Sequence, residues 1–111
     1  MLVIDKFVID GVRYMVWNDT FTMPTHDGIA MLLSSRDGVG ADYILSGEGA
    51  DVRCYDATGA AAEIDSAARV IAAHVGSIAS VVPGVEHIEV RLTDGYASRI
   101  MSAGASVRVA G

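Results

Sequence analysis

The sequence is poor in several residues that mark common classes of protein. Its single cysteine, Cys54, cannot form an internal disulfide, which favours a cytoplasmic protein. Lysine and arginine number 8 against 14 acidic residues, the net charge is −6, and the basic residues form no cluster. Because nucleic acids and anionic membranes are bound through clustered basic side chains, we expect neither as a partner.

Membrane spans, leader peptides and metal sites also lack support in the sequence. The longest weakly polar run contains Arg69 and His74, and the N-terminus lacks a basic region followed by an apolar one. The three histidines are far apart, and no Cys/His/Asp group has the spacing of zinc ligands. The glycine-rich residues 37–40 lack the lysine of a phosphate-binding loop. We therefore expect no metal and no cofactor.

The abundant residues are apolar. Hydrophobic residues make up 51% of the 111 and charged residues 20%. This length indicates a single domain over residues 1–111, with one core. Because a monomer of this composition would leave apolar surface exposed, we expect a homodimer.

The stretch with the least polar character is residues 66–82, where Arg69 and His74 are the only strongly polar side chains. Asp65 or Ser66 can cap its start, and Pro83-Gly84 ends it. A helix that is apolar on all sides is a buried helix. The pattern predicts a central helix of roughly four turns around which the strands wrap.

The remaining patterns are mostly typical of strands. Residues 1–9 and 13–17 flank Asp10-Gly11 and predict a β-hairpin. Residues 28–35 have helical spacing after a Thr25 cap. With about seven strands and two helices, the chain is predicted to be an α+β protein. The other predicted strands are residues 43–46, 50–56, 86–92, 96–101 and 106–109.

Three stretches resemble parts of one known enzyme family. Residues 36–45, RDGVGADYIL, resemble an Arg-x-x-Gly-x-Gly-x-Asp segment. Residues 52–75, VRCYDATGAAAEIDSAARVIAAHV, resemble a strand and turn leading into a helix, and residues 88–111 resemble a set of closing strands. All three segments are found in the amino-terminal half of diaminopimelate epimerase. The resemblance implies a curved, mainly antiparallel sheet or barrel around a central buried helix. It also implies that a homodimer would rebuild the missing half, with sites along or beside the two-fold axis.

The chain departs from the family at the positions that hold an amino-acid substrate. The family's catalytic cysteine falls on Asp65, so a thiol-based racemase is not expected. Family glycines and polar groups fall on positions that would line the cleft here, namely Val12, Tyr43, Asp56, Ser66, Ala67 and Ala68. The loss of most amides favours an apolar substrate.

Each candidate residue has a functional and a structural interpretation. Asp65 could move a proton, or it could cap the helix, where the helix N-terminus makes it a weak base. Tyr43 could donate a hydrogen bond to a substrate carbonyl, or be a half-buried strand residue. Asp56 could line the cleft or form an Asx turn. His74 is predicted to be a hydrogen-bonded core histidine, with a cleft base as the alternative.

The sequence therefore supports three hypotheses. The first is a cofactor-independent cyclase of natural-product biosynthesis that holds an apolar, unsaturated small molecule for pericyclic ring closure, including cycloaddition. Asp65 and Tyr43 are its predicted catalytic residues, and Val12, Asp56, Ser66 and Ala67 its predicted substrate-binding residues. The second is a proton-transfer isomerase or epimerase that uses Asp65 as its base. The third is a non-catalytic small-molecule-binding or scaffold protein.

Overall fold

The computed structural model of the chain describes residues 2–17, 23–47, 51–74 and 76–104. These ranges contain both strands and helices, which confirms the predicted α+β class. The elements are β1 (Leu2–Ile9), β2 (Val12–Trp17), α1 (His26–Leu33), β3 (Tyr43–Ser46), β4 (Arg53–Asp56), α2 (Ser66–Ala73), α3 (Ile78–Val81), β5 (Glu86–Leu92) and α4 (Asp94–Ser102).

The strands form one mixed sheet in the order β4-β3-β2-β1-β5. Three neighbouring pairs are antiparallel, and β2 and β3 are parallel, so the predicted mainly antiparallel character is confirmed. The predicted hairpin joins β1 and β2, and its two turn residues, Asp10 and Gly11, have φ of 52° and 80°. Positive φ at both positions matches the right-handed strand twist, which is why an Asp-Gly pair closes this turn.

Helices cover both faces of the sheet. On one face α1 and α4 pack over the strands, and we call this the α1/α4 face. On the other face α2 and α3 do so, and we call this the α2/α3 face. Successive residues of β2 serve the two faces in turn, Tyr14 and Val16 on one and Met15 and Trp17 on the other, and all four are buried. A strand covered on both sides is apolar along its length, which explains the β-rich run.

The predicted four-turn buried helix, and the sheet or barrel wrapped around it, are wrong. The described sheet is open, α2 ends at Ala73, and α3 is a separate single turn. Ala68 is buried in α2, whereas Arg69 is exposed. The alanines of α2 made this segment look apolar on all sides. A side chain as small as alanine can face solvent at little cost, so only one face of α2 has to pack against the sheet.

His74 is another correction. It is exposed at the C-cap of α2, so it is not the predicted core histidine. The chain turns there at Gly76 and Ser77, before α3.

The strand predicted at residues 96–101 is a helix, α4. The Thr93 hydroxyl accepts a hydrogen bond from the Tyr96 N–H at 3.2 Å and caps its start. Thr93 therefore begins a helix, and Ile100 is fully buried against the α1/α4 face. The strand predicted at residues 106–109 lies outside the described residues. No helix within the described ranges has the length and apolar character that crossing a bilayer requires.

Candidate functional site

A tyrosine and a carboxylate meet on the α2/α3 face. Tyr14 lies in the middle of the sheet and is 2% exposed, and its hydroxyl donates a hydrogen bond to Asp65 Oδ2 at 2.7 Å. Asp65 is the N-cap of α2, and its Oδ1 accepts the Ala68 N–H at 2.7 Å. The predicted capping role is thus confirmed, and each carboxylate oxygen already accepts a hydrogen bond.

Tyr43 lies beside Tyr14. The parallel register of β2 and β3 makes the two residues direct neighbours, and their rings stack with centroids 5.6 Å apart and planes 23° apart. Tyr43 is half-buried. Among the described residues, none forms a hydrogen bond with its hydroxyl. The Tyr43 hydroxyl is therefore available to a ligand as a donor.

Asp56 is the register partner of Tyr43 on β4, so the structure brings together these two predicted site residues. The Asp56 carboxylate is used locally. Its Oδ1 accepts hydrogen bonds from the Thr58 N–H at 2.9 Å, the Thr58 hydroxyl at 2.6 Å and the Ala60 N–H at 3.3 Å. The Thr58 hydrogen bonds lower the pKa of Asp56. This is the predicted Asx turn, and it keeps the carboxylate ionised.

The other predicted binding residues differ in their exposure. Val12, at the start of β2, and Ala67, in the first turn of α2, are half-buried and pack against the cluster that contains Tyr14. Ser66 is exposed at the start of α2. Val12 and Ala67 therefore supply apolar surface at the edge of this cluster, and Ser66 is exposed to solvent.

Burial and nearby negative charge keep two groups on this face, Tyr14 and Cys54, protonated at neutral pH. Burial first, and then the hydrogen bond and charge of Asp65, raise the pKa of Tyr14 well above its usual range. Tyr14 is therefore a permanent donor to Asp65 at neutral pH. Burial, together with the charges of Asp65 and Asp56, raises the pKa of Cys54 to about 11. The neutral Cys54 thiol is a poor nucleophile.

A cavity of about 330 Å³ borders the same cluster at β4. This volume lies at the small end of the range for small-molecule sites, on the order of 300 to 1,000 Å³. The buried side chains of Val52 and Cys54 belong both to its lining and to the core of the α2/α3 face. Its full lining is Val52, Arg53, Cys54, Tyr55, Ala61, Ala62 and Ile64.

Sequence reasoning missed Tyr14, the residue that links Tyr43 to Asp65. The alternation of side chains along a strand could have identified it, because Tyr14 lies two residues after Val12 and so faces the same side of β2. The contact with Asp65 spans 51 residues of sequence and has no local signature. No group of three or more metal-ligating side chains occurs among the described residues.

No protein-family model matches the chain, and no curated protein matches it significantly. The resemblance to diaminopimelate epimerase therefore stays a prediction from the residues.

Proposed function

We propose that the chain is a cofactor-independent enzyme that binds a largely apolar, unsaturated small molecule on the α2/α3 face and promotes its ring closure. The observation that carries this function is the hydroxyl of Tyr43, half-buried at an apolar cluster and without a hydrogen-bond partner among the described residues. A donor in such surroundings suits a ligand with one polar group, a carbonyl, on an apolar skeleton.

The chemistry follows from a donor beside an apolar wall. Tyr43 donates a hydrogen bond to a conjugated carbonyl, which lowers the energy of the electron-poor π system. The half-buried side chains of Val12 and Ala67 hold the apolar part in a folded conformer and so remove part of the entropic barrier. A cycloaddition then converts two π bonds into two σ bonds, and no proton, electron or leaving group passes to the protein.

Asp65 orients this site. Its Oδ2 accepts the hydrogen bond of the Tyr14 hydroxyl, and its Oδ1 accepts the Ala68 N–H at the start of α2. Each carboxylate oxygen has a second lone pair, so these two hydrogen bonds fix the orientation of Asp65 without occupying all of its acceptor sites. Incorporation of solvent deuterium therefore distinguishes the alternative isomerase, with Asp65 as its base, from ring closure.

Turnover of a synthetic linear compound that carries a conjugated diene tethered to an enone tests this function. Wild-type protein is expected to form the cyclic isomer, of unchanged mass, faster than buffer does. In deuterated water, the product of a pericyclic closure gains no deuterium. Tyr43→Phe is expected to lower kcat/KM by about 10 to 100-fold, because a hydrogen bond to a developing charge contributes about 1.5 to 3 kcal/mol.

Two controls separate this function from its alternatives. Tyr96→Phe removes a tyrosine hydroxyl on the opposite face and is expected to leave the rate unchanged. Deuterium in the product, together with loss of activity in Asp65→Asn, would identify a proton-transfer isomerase instead. Saturable binding of the linear compound without any product would identify a non-catalytic binding protein.

A further inference from the structure

Strand β5 has one side without a partner among the described residues. It is the last strand in the sheet order and pairs only with β1. Most of its residues are exposed, and Ile88 is 38% exposed although it is aliphatic. Open edge strands tend to pair with further strands, and charges, prolines or bulges usually protect them.

The other edge of the sheet is occupied. Ala61 forms an antiparallel bridge to Tyr55 of β4, the Asp56 N–H donates to the Ala60 carbonyl, and the Ala62 N–H donates to the Cys54 carbonyl. Within the described ranges, β5 is therefore the edge that can extend the sheet.

The side chains of β5 alternate between two kinds. Ile88, Val90 and Leu92 point to the α1/α4 side, and His87, Glu89 and Arg91 point to the other. Phe7, which belongs to the α2/α3 core, stacks on the His87 ring and fixes this assignment. We call His87, Glu89 and Arg91 the charge row; in it the acidic Glu89 is followed two residues later by the basic Arg91.

We propose that β5 pairs antiparallel with β5 of a second copy of this chain, about a two-fold axis that passes through Val90. In this register Glu89 lies opposite the partner's Arg91, and Arg91 lies opposite the partner's Glu89. The same axis places Ile88 opposite the partner's Leu92. Oppositely charged residues directly across a strand pair stabilise the pair, and so do matched apolar residues.

Neighbouring symmetric registers are less favourable. An axis through Glu89 places two carboxylates opposite each other and His87 opposite the partner's Arg91. An axis through Ile88 leaves Arg91 opposite an aliphatic residue, the partner's Val85. Like charges directly opposite each other destabilise a pair, which disfavours the axis through Glu89. Only the axis through Val90 places both Glu89 and Arg91 opposite a residue of opposite charge.

A second feature of the same edge fits this register. A notch of about 330 Å³ lies beside the end of β5, with Val39, Val90 and Leu92 among the residues of its wall. The partner's Ile88 projects to this side of the sheet, directly across from Leu92. The exposed aliphatic side chain of one copy thus meets the apolar notch of the other.

Gly104, the last described residue, lies beside α1. A Cβ at Gly104 would meet the Asp27 side chain, and a Cβ at Gly59, in the turn after β4, would meet the neighbouring His26 carbonyl. That turn belongs to the opposite edge of the sheet, four strands from β5. A second copy, which brings a complementary charge row and a complementary apolar residue, is the occupant that the edge fits.

Charge exchange tests the pairing. The mass in solution of the wild-type chain, by light scattering on a sizing column, is expected to be that of a dimer. Glu89→Arg and Arg91→Glu each replace two attractive pairs by two repulsive ones and are expected to weaken the dimer at least about tenfold. Mixing these two variants is expected to restore dimers that contain one copy of each, detected by native mass spectrometry.

Arg69→Glu, on the exposed side of α2, is the control for a charge change elsewhere. Circular dichroism checks that every variant is folded. A wild-type monomer across the micromolar range would overturn the proposal, as would single variants that dimerise like the wild type. A dimer that both single variants weaken, but that their mixture fails to restore, would overturn the axis through Val90.

Discussion

The two faces of the sheet use buried side chains differently. The α1/α4 face packs aliphatic residues such as Leu32, Ile44 and Ile100, all 0% exposed, against two helices. The α2/α3 face buries the Tyr14 hydroxyl and the Cys54 thiol and has the Asp65 carboxylate at its edge. Because β2 is buried on both sides, one strand can stabilise the fold with alternate residues and carry polar groups with the others. Alternate side chains of β2 thus contribute to the aliphatic core on one face and to the candidate site on the other.

Leu32→Ala is the substitution expected to have the largest effect on the α1/α4 face. Leu32 is fully buried, so its truncation leaves a cavity and is expected to lower the free energy of unfolding by about 2 to 5 kcal/mol. Urea unfolding measures this change. Leu32→Met conserves most of the volume and is expected to cost less than about 1.5 kcal/mol. Equal losses in the two variants would mean that this face is not closely packed.

Gly59→Ala tests the contact between α1 and the turn that Asp56 forms. Gly59 has φ of 85°, and a Cβ there would overlap the His26 carbonyl. The expected loss is about 2 to 3 kcal/mol, from backbone strain plus the overlap. Gly11→Ala is the matched control, since its φ is 80° but a Cβ there meets nothing within 4 Å. It is expected to lose only about 1 kcal/mol, from the left-handed conformation. The same loss at both glycines would contradict the contact.

A double-mutant cycle tests the hydrogen bond on the α2/α3 face. Asp65→Ala removes the cap and the acceptor and is expected to cost about 0.5 to 2 kcal/mol. Tyr14→Phe removes the donor and is expected to cost about 0.5 to 1.5 kcal/mol. The double variant is expected to lose less than the sum, by at least about 0.5 kcal/mol. Strict additivity would show that the two side chains do not interact.

Alkaline pH is expected to destabilise the fold in part through two groups of the α2/α3 face, Cys54 and Tyr14. Burial raises the pKa of Cys54 from 9.0 to about 11, so the unfolded chain loses this proton first. The stabilisation is therefore complete below about pH 9 and is lost as the pH rises toward 11. Cys54→Ala is expected to flatten the fall in unfolding free energy between pH 9 and 10 and to reduce it between pH 10 and 11.

Tyr14→Phe separates the second titrating group from the first. The pKa of Tyr14 is also raised, from an ordinary value of 10.0, so its stabilisation falls only above pH 10. This variant is expected to keep the slope between pH 9 and 10 and to flatten it above. Wild-type slopes in both variants would contradict the burial of the two groups.

Local chemistry made several features predictable from the sequence. Asp10-Gly11 predicted the hairpin, the capping preference of Asp65 predicted the start of α2, and Asp56 predicted its turn. Each of these depends on residues a few positions apart. Tyr43 and Asp56, both predicted from the resemblance to line a cleft, are register partners on neighbouring strands.

Features that depend on distant residues were not predictable. Residues 96–101 satisfy a strand pattern, and only the Thr93 cap and the packing of Ile100 favour the helix. The alanines of α2 do not reveal which side is covered. The parallel pairing of β2 with β3, which places Tyr14 against Tyr43, depends on a crossover through α1 that no short pattern encodes.

The measurement that tests the central claim most directly is the mapping of a bound ligand by ¹H–¹⁵N NMR. Wild-type chain would be titrated with a linear dienone, a conjugated diene joined to a carbonyl. The account predicts saturable shifts at Val12, Tyr14, Tyr43 and Ala67, weakened in Tyr43→Phe, with Leu32 and Ile44 unchanged. Shifts confined to the α1/α4 face, or shifts that Tyr43→Phe leaves unaltered, would contradict it.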